Sequence, residues 1–194
     1  VPLEDTMAAM SKLKDQGKIR SIGVSNFSLA QITEAAKYGR IDSLQPPYSL
    51  FWRHIEKKTM DYCIDNSISI LAYSPMAQGL LTGKFGPEYE FQKGDHRTKN
   101  KLFQPENYQR AQQALVRLRL IADQLDVSLG QLALAWVTSH PGVSAIAGAR
   151  NAEQATMNAR AADISLSAGT LAQLDQIGRM VTDYLDENPV MWLA

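Results

Sequence analysis

Two spacings of apolar residues alternate along this chain. Short, nearly continuous apolar runs occupy 19–25, 43–49, 67–73 and 143–149. Such runs are the pattern of parallel strands covered on both faces. The stretches between them carry apolar residues at helical period. Met7, Met10 and Leu13 line one face of the first, which Gly17 closes. Ser28 followed by Gln31 reads as a capping box opening the second, with Ile32, Ala35 and Ala36 inward and Gly39 at its end. A third spans 55–64. The longest spans 108–125, with Ala111, Leu115, Leu118, Ala122 and Leu125 on its inner face. Ser128 caps a further helix that runs to Val137 and carries Trp136 into the core. Asn151 opens another, and Ser167 caps the last, which holds Leu171, Leu174 and Ile177.

Strand, helix, strand, helix with short connections predicts parallel βα units. A doubly wound sheet and a closed (β/α)8 barrel both fit. The pattern holds about four such units plus extra helices near the end, as one domain over 1–194. A complete barrel needs about 250 residues, so the expectation for a barrel is roughly its C-terminal half. Residues 86–105 break the rhythm with Gly, Pro, charge and scattered aromatics. They read as a long loop, of the kind that serves as a lid or stays disordered.

Composition narrows the function classes. Apolar residues make up 45% and charged residues 21%, ordinary for a folded soluble domain. Twenty basic residues cancel twenty acidic ones, so neither nucleic acid nor an anionic membrane is an expected partner. A local basic cluster, His96-Arg97-Thr98-Lys99-Asn100-Lys101, survives that average. Cys63 is alone and sits at an apolar helical position, which predicts a buried, inert thiol and a cytoplasmic protein. No apolar run approaches a membrane span, and no secretory pattern opens the chain. The start at Val1, with a helical pattern almost at once, reads as a cut in a longer protein.

Parallel α/β architectures bind ligands at the carboxyl ends of their strands. Here those ends are Gly23-Val-Ser-Asn26, Gln45-Pro-Pro-Tyr48, Tyr73-Ser-Pro and Gly148-Ala-Arg-Asn151. Ser25, Asn26 and Gln45 carry groups able to bond a planar carboxamide as donor and as acceptor. Tyr73 offers a face for stacking an aromatic ring. The backbone from Ser74 to Gly83, past Pro75 (which has no N–H), Met76 and Ala77, offers N–H groups that suit a pyrophosphate, with Lys84 as a point charge. Arg150, beside a helix N-terminus, suits a phosphate monoester. Gln154 and Asn158, four apart on that helix, face an adenine edge or a ribose. Helix capping by Ser-Asn and Arg-Asn pairs is the plainer reading of the same residues.

Other chemistry is poorly served. The glycine fingerprints Gly-x-Gly-x-x-Gly and Gly-x-x-x-x-Gly-Lys-Ser/Thr are missing. His54, His96 and His140 have no acidic or Cys partner at ligand spacing, so no metal is expected. Asp61 and Asp65 read as a solvated helix face. The segment from Tyr184 to Trp192 is apolar and aromatic, and reads as a structural clamp or the wall of a substrate pocket.

Four stretches carry a family resemblance: Ile19-Arg-Ser-Ile-Gly-Val-Ser-Asn-Phe27, Ile70-Leu-Ala-Tyr-Ser-Pro-Met-Ala-Gln-Gly-Leu-Leu-Thr-Gly-Lys84, Leu132-Ala-Leu-Ala-Trp136 and Ile146-Ala-Gly-Ala-Arg-Asn151. Together, and in this order, they resemble the aldo-keto reductases from about residue 4 onward. The resemblance implies a (β/α)8 barrel that binds NADP(H) in an extended pose and exchanges hydride with an aldehyde or ketone. By position, Ser25, Asn26 and Gln45 would hold the nicotinamide carboxamide and Tyr73 would stack beneath its ring. The 74–77 backbone and Lys84 would meet the pyrophosphate, under a loop folding over the cofactor. Gly148 and Arg150 would meet the ribose and its 2′-phosphate, with Gln154 and Asn158 at the ribose phosphate and adenine. Met157 stands where the family commonly has an acidic residue, and Ala147 replaces a common Pro.

The family's Asp, Tyr, Lys and His for proton transfer would lie upstream of Val1, so no catalytic residue is assigned here. Two readings follow from the resemblance. One is an NADP(H)-dependent carbonyl reductase whose proton donor lies outside these residues, leaving the chain inactive alone. The other is a non-catalytic NADP(H)-binding interaction subunit, as in the potassium-channel beta subunits of this architecture. A stand-alone half-barrel that dimerises is a third.

Overall fold

The computed structural model of the protein describes residues 1–193. Four parallel strands, β1 (Gly23–Ser25), β2 (Ser43–Gln45), β3 (Ser69–Ala72) and β4 (Val143–Ala145), lie side by side in chain order. Gly23 pairs with Ser43, Ser25 with Gln45, and Leu71 with Ser144. Alternation along a strand sends successive side chains to opposite faces. Val24, Leu44, Ile70 and Val143 therefore point to the helix side, where Leu44 and Ile70 are each 1% exposed. Ser25, Gln45, Leu71 and Ser144 share the other face and are half-buried or exposed. One face is a core and the other is an open, largely polar surface.

The strands are shorter than their apolar runs. Pro46 and Pro47 cannot donate to a ladder, so β2 stops at Gln45. Asn26 (φ 58°) and Ser74 (φ 52°) turn the chain out of extended conformation at the ends of β1 and β3. A single bridge between Pro47 and Tyr73 continues the pairing beyond them.

Helices α1 (Leu3–Asp15), α2 (Leu29–Ala35), α3 (Thr59–Asp65), α4 (Pro105–Gln124), α5 (Leu129–Thr138), α6 (Ala152–Arg160) and α7 (Ala168–Thr182) complete the architecture. The expected capping boxes at Ser28–Gln31 and Ser128–Gln131 form, and Asn151 and Ser167 cap α6 and α7. Three expectations need correction. The third helix is split into a 3-10 turn, His54–Lys57, and α3, because Lys58 (φ −157°) breaks the helical run. Helix α4 starts at Pro105, not 108, because proline at the first position is preorganised for a helix and loses no bond. Ala36 and Leu125 are exposed, since each is a C-cap where the chain already bends off the core. Helix α4 packs on α7, and Trp136 of α5 is fully buried beneath the Arg53 guanidinium, 4.9 Å from its ring.

Residues 86–105 hold more order than their sequence suggests. Two 3-10 turns, His96–Lys99 and Lys101–Phe103, follow an aromatic cluster in which Phe91 sits 5.2 Å from both Phe85 and Phe103. Arg97 lies over the Phe85 and Phe91 rings at 4.8 and 5.0 Å and is ion-paired with Asp95. Irregular aromatic spacing hides this small core from any periodicity. The C-terminal segment docks on it. The Lys101 N–H donates to the Met191 carbonyl and the Leu193 N–H to the Lys99 carbonyl, both at 2.8 Å. None of the described helices is long and apolar enough to cross a membrane.

Candidate functional site

Two cavities open at the carboxyl ends of the strands. The larger, about 820 Å³, is lined by Ser74, Pro75, Met76, Lys84, Gly148, Arg150, Gln154 and Asn158 among others. The smaller, about 450 Å³, is lined by Asn26 and Tyr73, with Pro47, Trp52, Met191 and Trp192. Tyr73 of the smaller cavity and Ser74 of the larger are consecutive residues just after β3, although the two cavities share no lining residue. Eight of the thirteen residues singled out in the sequence share the larger cleft and two share the smaller. Ser25 and Gln45 line neither; they stand side by side on the open face of the sheet. Ala77 is buried and offers the site its backbone alone.

At the smaller cavity, the Tyr73 hydroxyl donates to Asn26 Oδ1 at 3.0 Å, which ties β3 to the end of β1. Burial raises the Tyr73 hydroxyl above the ordinary tyrosine value. Ser25 Oγ donates to the Gln45 carbonyl at 2.9 Å. Its lone pairs and the Gln45 amide have no hydrogen bond among the described residues. These groups form a polar ledge beside a fixed aromatic ring.

At the larger cleft, the chain after β3 curls tightly. Ser74, Ala77 and Gln78 all have positive φ (52°, 48° and 56°), and Gly79 follows at 92°. Left-handed conformations at non-glycine residues are unfavourable and gather at ligand clamps. Within the curl the Ala77 and Gly79 N–H groups already donate to the Ser74 and Met76 carbonyls, so an anion there would rely on the remaining N–H groups together with Lys84. Lys84 leans back over it: a Cβ on Gly79 would lie 2.9 Å from Lys84 Cε and 3.1 Å from Nζ. The missing Cβ leaves room for the ammonium beside this backbone, and at φ 92° a residue with a side chain would be strained there in any case. Burial, then the nearby Arg97 and Arg150 charges, hold Lys84 below the ordinary lysine value. Three cations therefore face one cleft. Asp95 neutralises Arg97, whereas Lys84 and Arg150 have no carboxylate partner among the described residues. Gln78 Oε1 is buried and unpaired at the same place.

Two side chains expected to face a ligand do something else as well. Gln154 Oε1 accepts from the Arg150 N–H at 2.9 Å, and Asn158 Nδ2 donates to the Gly148 carbonyl at 3.1 Å. They brace the loop that presents Arg150, which leaves only Gln154 Nε2 and Asn158 Oδ1 for contact with a ligand. The sequence reading missed His96 and Arg97, which line the same cleft. Their signal was present in the basic cluster at 96–101, but nothing local tied it to strand ends that lie distant in sequence.

The larger cleft fits a phosphorylated dinucleotide. Its curled backbone, the lysine beside it and its unpaired arginine together match a pyrophosphate and a terminal phosphate. Neither Tyr48 nor Tyr73 has a lysine among its hydrogen-bond partners. The Tyr48 hydroxyl donates to Glu56 at 2.7 Å in the core, where burial raises it far above the ordinary value, and Tyr73 is bonded to Asn26.

Residues 1–179 match the model of the Aldo/keto reductase family. The chain is 38% identical over 156 residues to the Bacillus subtilis aldo-keto reductase YhdN, covering 79% of this chain and 47% of that one. The structure of a glycerol dehydrogenase from Gluconobacter oxydans superposes with a TM-score of 0.89 at 32% identity, over 96% of this chain and 57% of that one. An aldo/keto reductase from Klebsiella pneumoniae, solved with NADP and acetate, superposes at 0.72 and 30% identity over 100% of this chain and 59% of its own. The chain spans about half the length of the curated relatives it matches.

Proposed function

The chain belongs to the aldo/keto reductase family, and on that premise we propose that its strand-end cavities form the NADP(H) side of a carbonyl reductase site. The observation that carries this is the convergence of Lys84, Arg97 and Arg150 on one cleft at the same end of the sheet as the Tyr73 ring. Arg150, free of carboxylates, takes the 2′-phosphate and favours NADP(H) over NAD(H). Lys84 and the backbone after Ser74 take the pyrophosphate, and Gly148, Gln154 and Asn158 take the adenosine end. Ser25, Asn26 and Gln45 hold the carboxamide, and Tyr73 supports the ring.

When bound, the cofactor supplies hydride to an aldehyde or ketone, or accepts it from an alcohol. What this chain does for that exchange is to orient and to exclude water. The smaller cavity, roofed by Pro189, Val190, Met191 and Trp192, holds the carbonyl compound against the Tyr73 end. We place the proton donor for the carbonyl oxygen outside these 194 residues, a reading supported by the hydroxyls of Tyr48 and Tyr73 having no lysine among their hydrogen-bond partners. The expected result is saturable NADP+ binding by the chain without NADPH consumption on adding aldehydes. Carbonyl-dependent loss of NADPH absorbance would place a proton donor within these residues and contradict the assignment. A non-catalytic subunit differs in one outcome: the longer protein carrying this segment would bind NADP+ and still show no turnover.

A further inference from the structure

The C-terminal segment and the cofactor loop are joined by a short two-stranded ladder. Asn100 faces Trp192 in an antiparallel bridge, flanked by the 2.8 Å bonds from Lys101 N–H to Met191 O and from Leu193 N–H to Lys99 O. At its foot the Lys101 ammonium donates to Asp186 Oδ1 at 2.7 Å and lies 3.4 Å from the Asn188 carbonyl. The Lys101 side chain is only 9% exposed. Lysine is almost never buried unless it is paired, so the ion pair fixes where this stem can lie.

The ladder is placed between the two cavities. Just before its first strand stand His96 and Arg97, which line the dinucleotide cleft. Its second strand holds Met191 and Trp192, which line the other cavity. The His96 ring lies 5.7 Å from the Trp192 ring. The residues lining the dinucleotide cleft and those lining the other cavity are therefore joined through two backbone hydrogen bonds and one ion pair.

We propose that Lys101 is a positioning residue that couples the two cavities: a dinucleotide in the larger cleft fixes the tail wall of the smaller one through the Lys101–Asp186 pin. The proposal rests on the NADP(H) reading above. Coupling between sites is reciprocal, so a compound held by the tail also tightens the dinucleotide's hold. The pin touches neither ligand, and its loss uncouples the sites while leaving both cavities lined as before.

Hydrogen–deuterium exchange resolved at the Lys101 and Leu193 amides of the 194-residue chain tests this, with and without saturating NADP+. In the native chain NADP+ is expected to slow both amides at least about fivefold, the lower end of ordinary coupling. Lys101→Met keeps the stem and removes the charge, and is expected to abolish the response at Leu193 while NADP+ still binds. Lys101→Arg is expected to restore it. Asp186→Asn, on the exposed partner, removes the same pin if Lys101→Met fails to fold. NADP+ binding that leaves the ladder amides of the native chain unchanged, or a full response in both pin variants, overturns the coupling alone. Absence of NADP+ binding overturns it together with the reading on which it rests.

Discussion

At the residue scale, the proposed preference for NADP(H) rests on Arg150. Its guanidinium has no ion pair among the described residues, and its backbone is held by Gln154. Charge-assisted hydrogen bonds contribute about 1.5–3 kcal/mol, so Arg150→Ala is expected to weaken NADP+ roughly 10- to 100-fold. NAD+ affinity should change far less, and titration with both cofactors reads the difference. Asp42 shows the opposite use of charge, for structure rather than ligand. Lys14 first, then the Ile22 N–H, hold its carboxylate at about 2, against an ordinary 3.8. A carboxylate lowered by folding stabilises above its unfolded value and loses that contribution as pH falls through the folded one. The stability gap between the native chain and Asp42→Asn, measured by urea unfolding, should be full above about pH 4 and close as pH falls towards 2. A gap that persists at pH 2 would mean the carboxylate's charge is not its source. Residue types at strand ends made Arg150 and Lys84 legible in the sequence. The bracing by Gln154 and Asn158 was not, because the same amide serves a ligand or its own loop equally well.

At the element scale, caps and apolar faces were legible and strand lengths were not. Ser28–Gln31 and Ser128–Gln131 announce their helices because each satisfies otherwise orphaned N–H groups through a local pattern. Ser128→Ala should cost about 1 kcal/mol, read as a lower urea midpoint with an unchanged slope. A neutral result would mean that packing of the fully buried Trp136 holds α5 without its cap. Strand β2 ended early for a reason outside periodicity, the two prolines after Gln45. Strand β3 stops one residue short of its run, ahead of Ser74 with its positive φ, whereas β1 ends at Ser25 as its run does and is short only at its start. The loop at 86–105 was least legible, since its order comes from aromatic contacts between Phe85, Phe91 and Phe103 that follow no repeat. Gly79→Ala joins element to site. A Cβ there would crowd the Lys84 ammonium and strain the backbone at φ 92°, so affinity for the dinucleotide should fall while the sheet stays folded.

At the scale of the whole molecule, one side of a four-stranded parallel sheet is a core and the other an open polar face. The βα order and the ligand-bearing ends were readable because parallel sheets impose both. Which residues meet across the two cavities was not, because the tail and the cofactor loop come together from residues nearly a hundred positions apart. The Lys101–Asp186 pair is the clearest case. The central requirement is that Tyr73 and Arg150, on separate cavities at the carboxyl ends of the strands, serve one extended molecule. A crystal structure of the chain grown with NADP+ measures this directly. The account predicts a single dinucleotide, with its nicotinamide on the Tyr73 ring and its 2′-phosphate on Arg150. A dinucleotide confined to one cavity, or lying elsewhere on the chain, would contradict it.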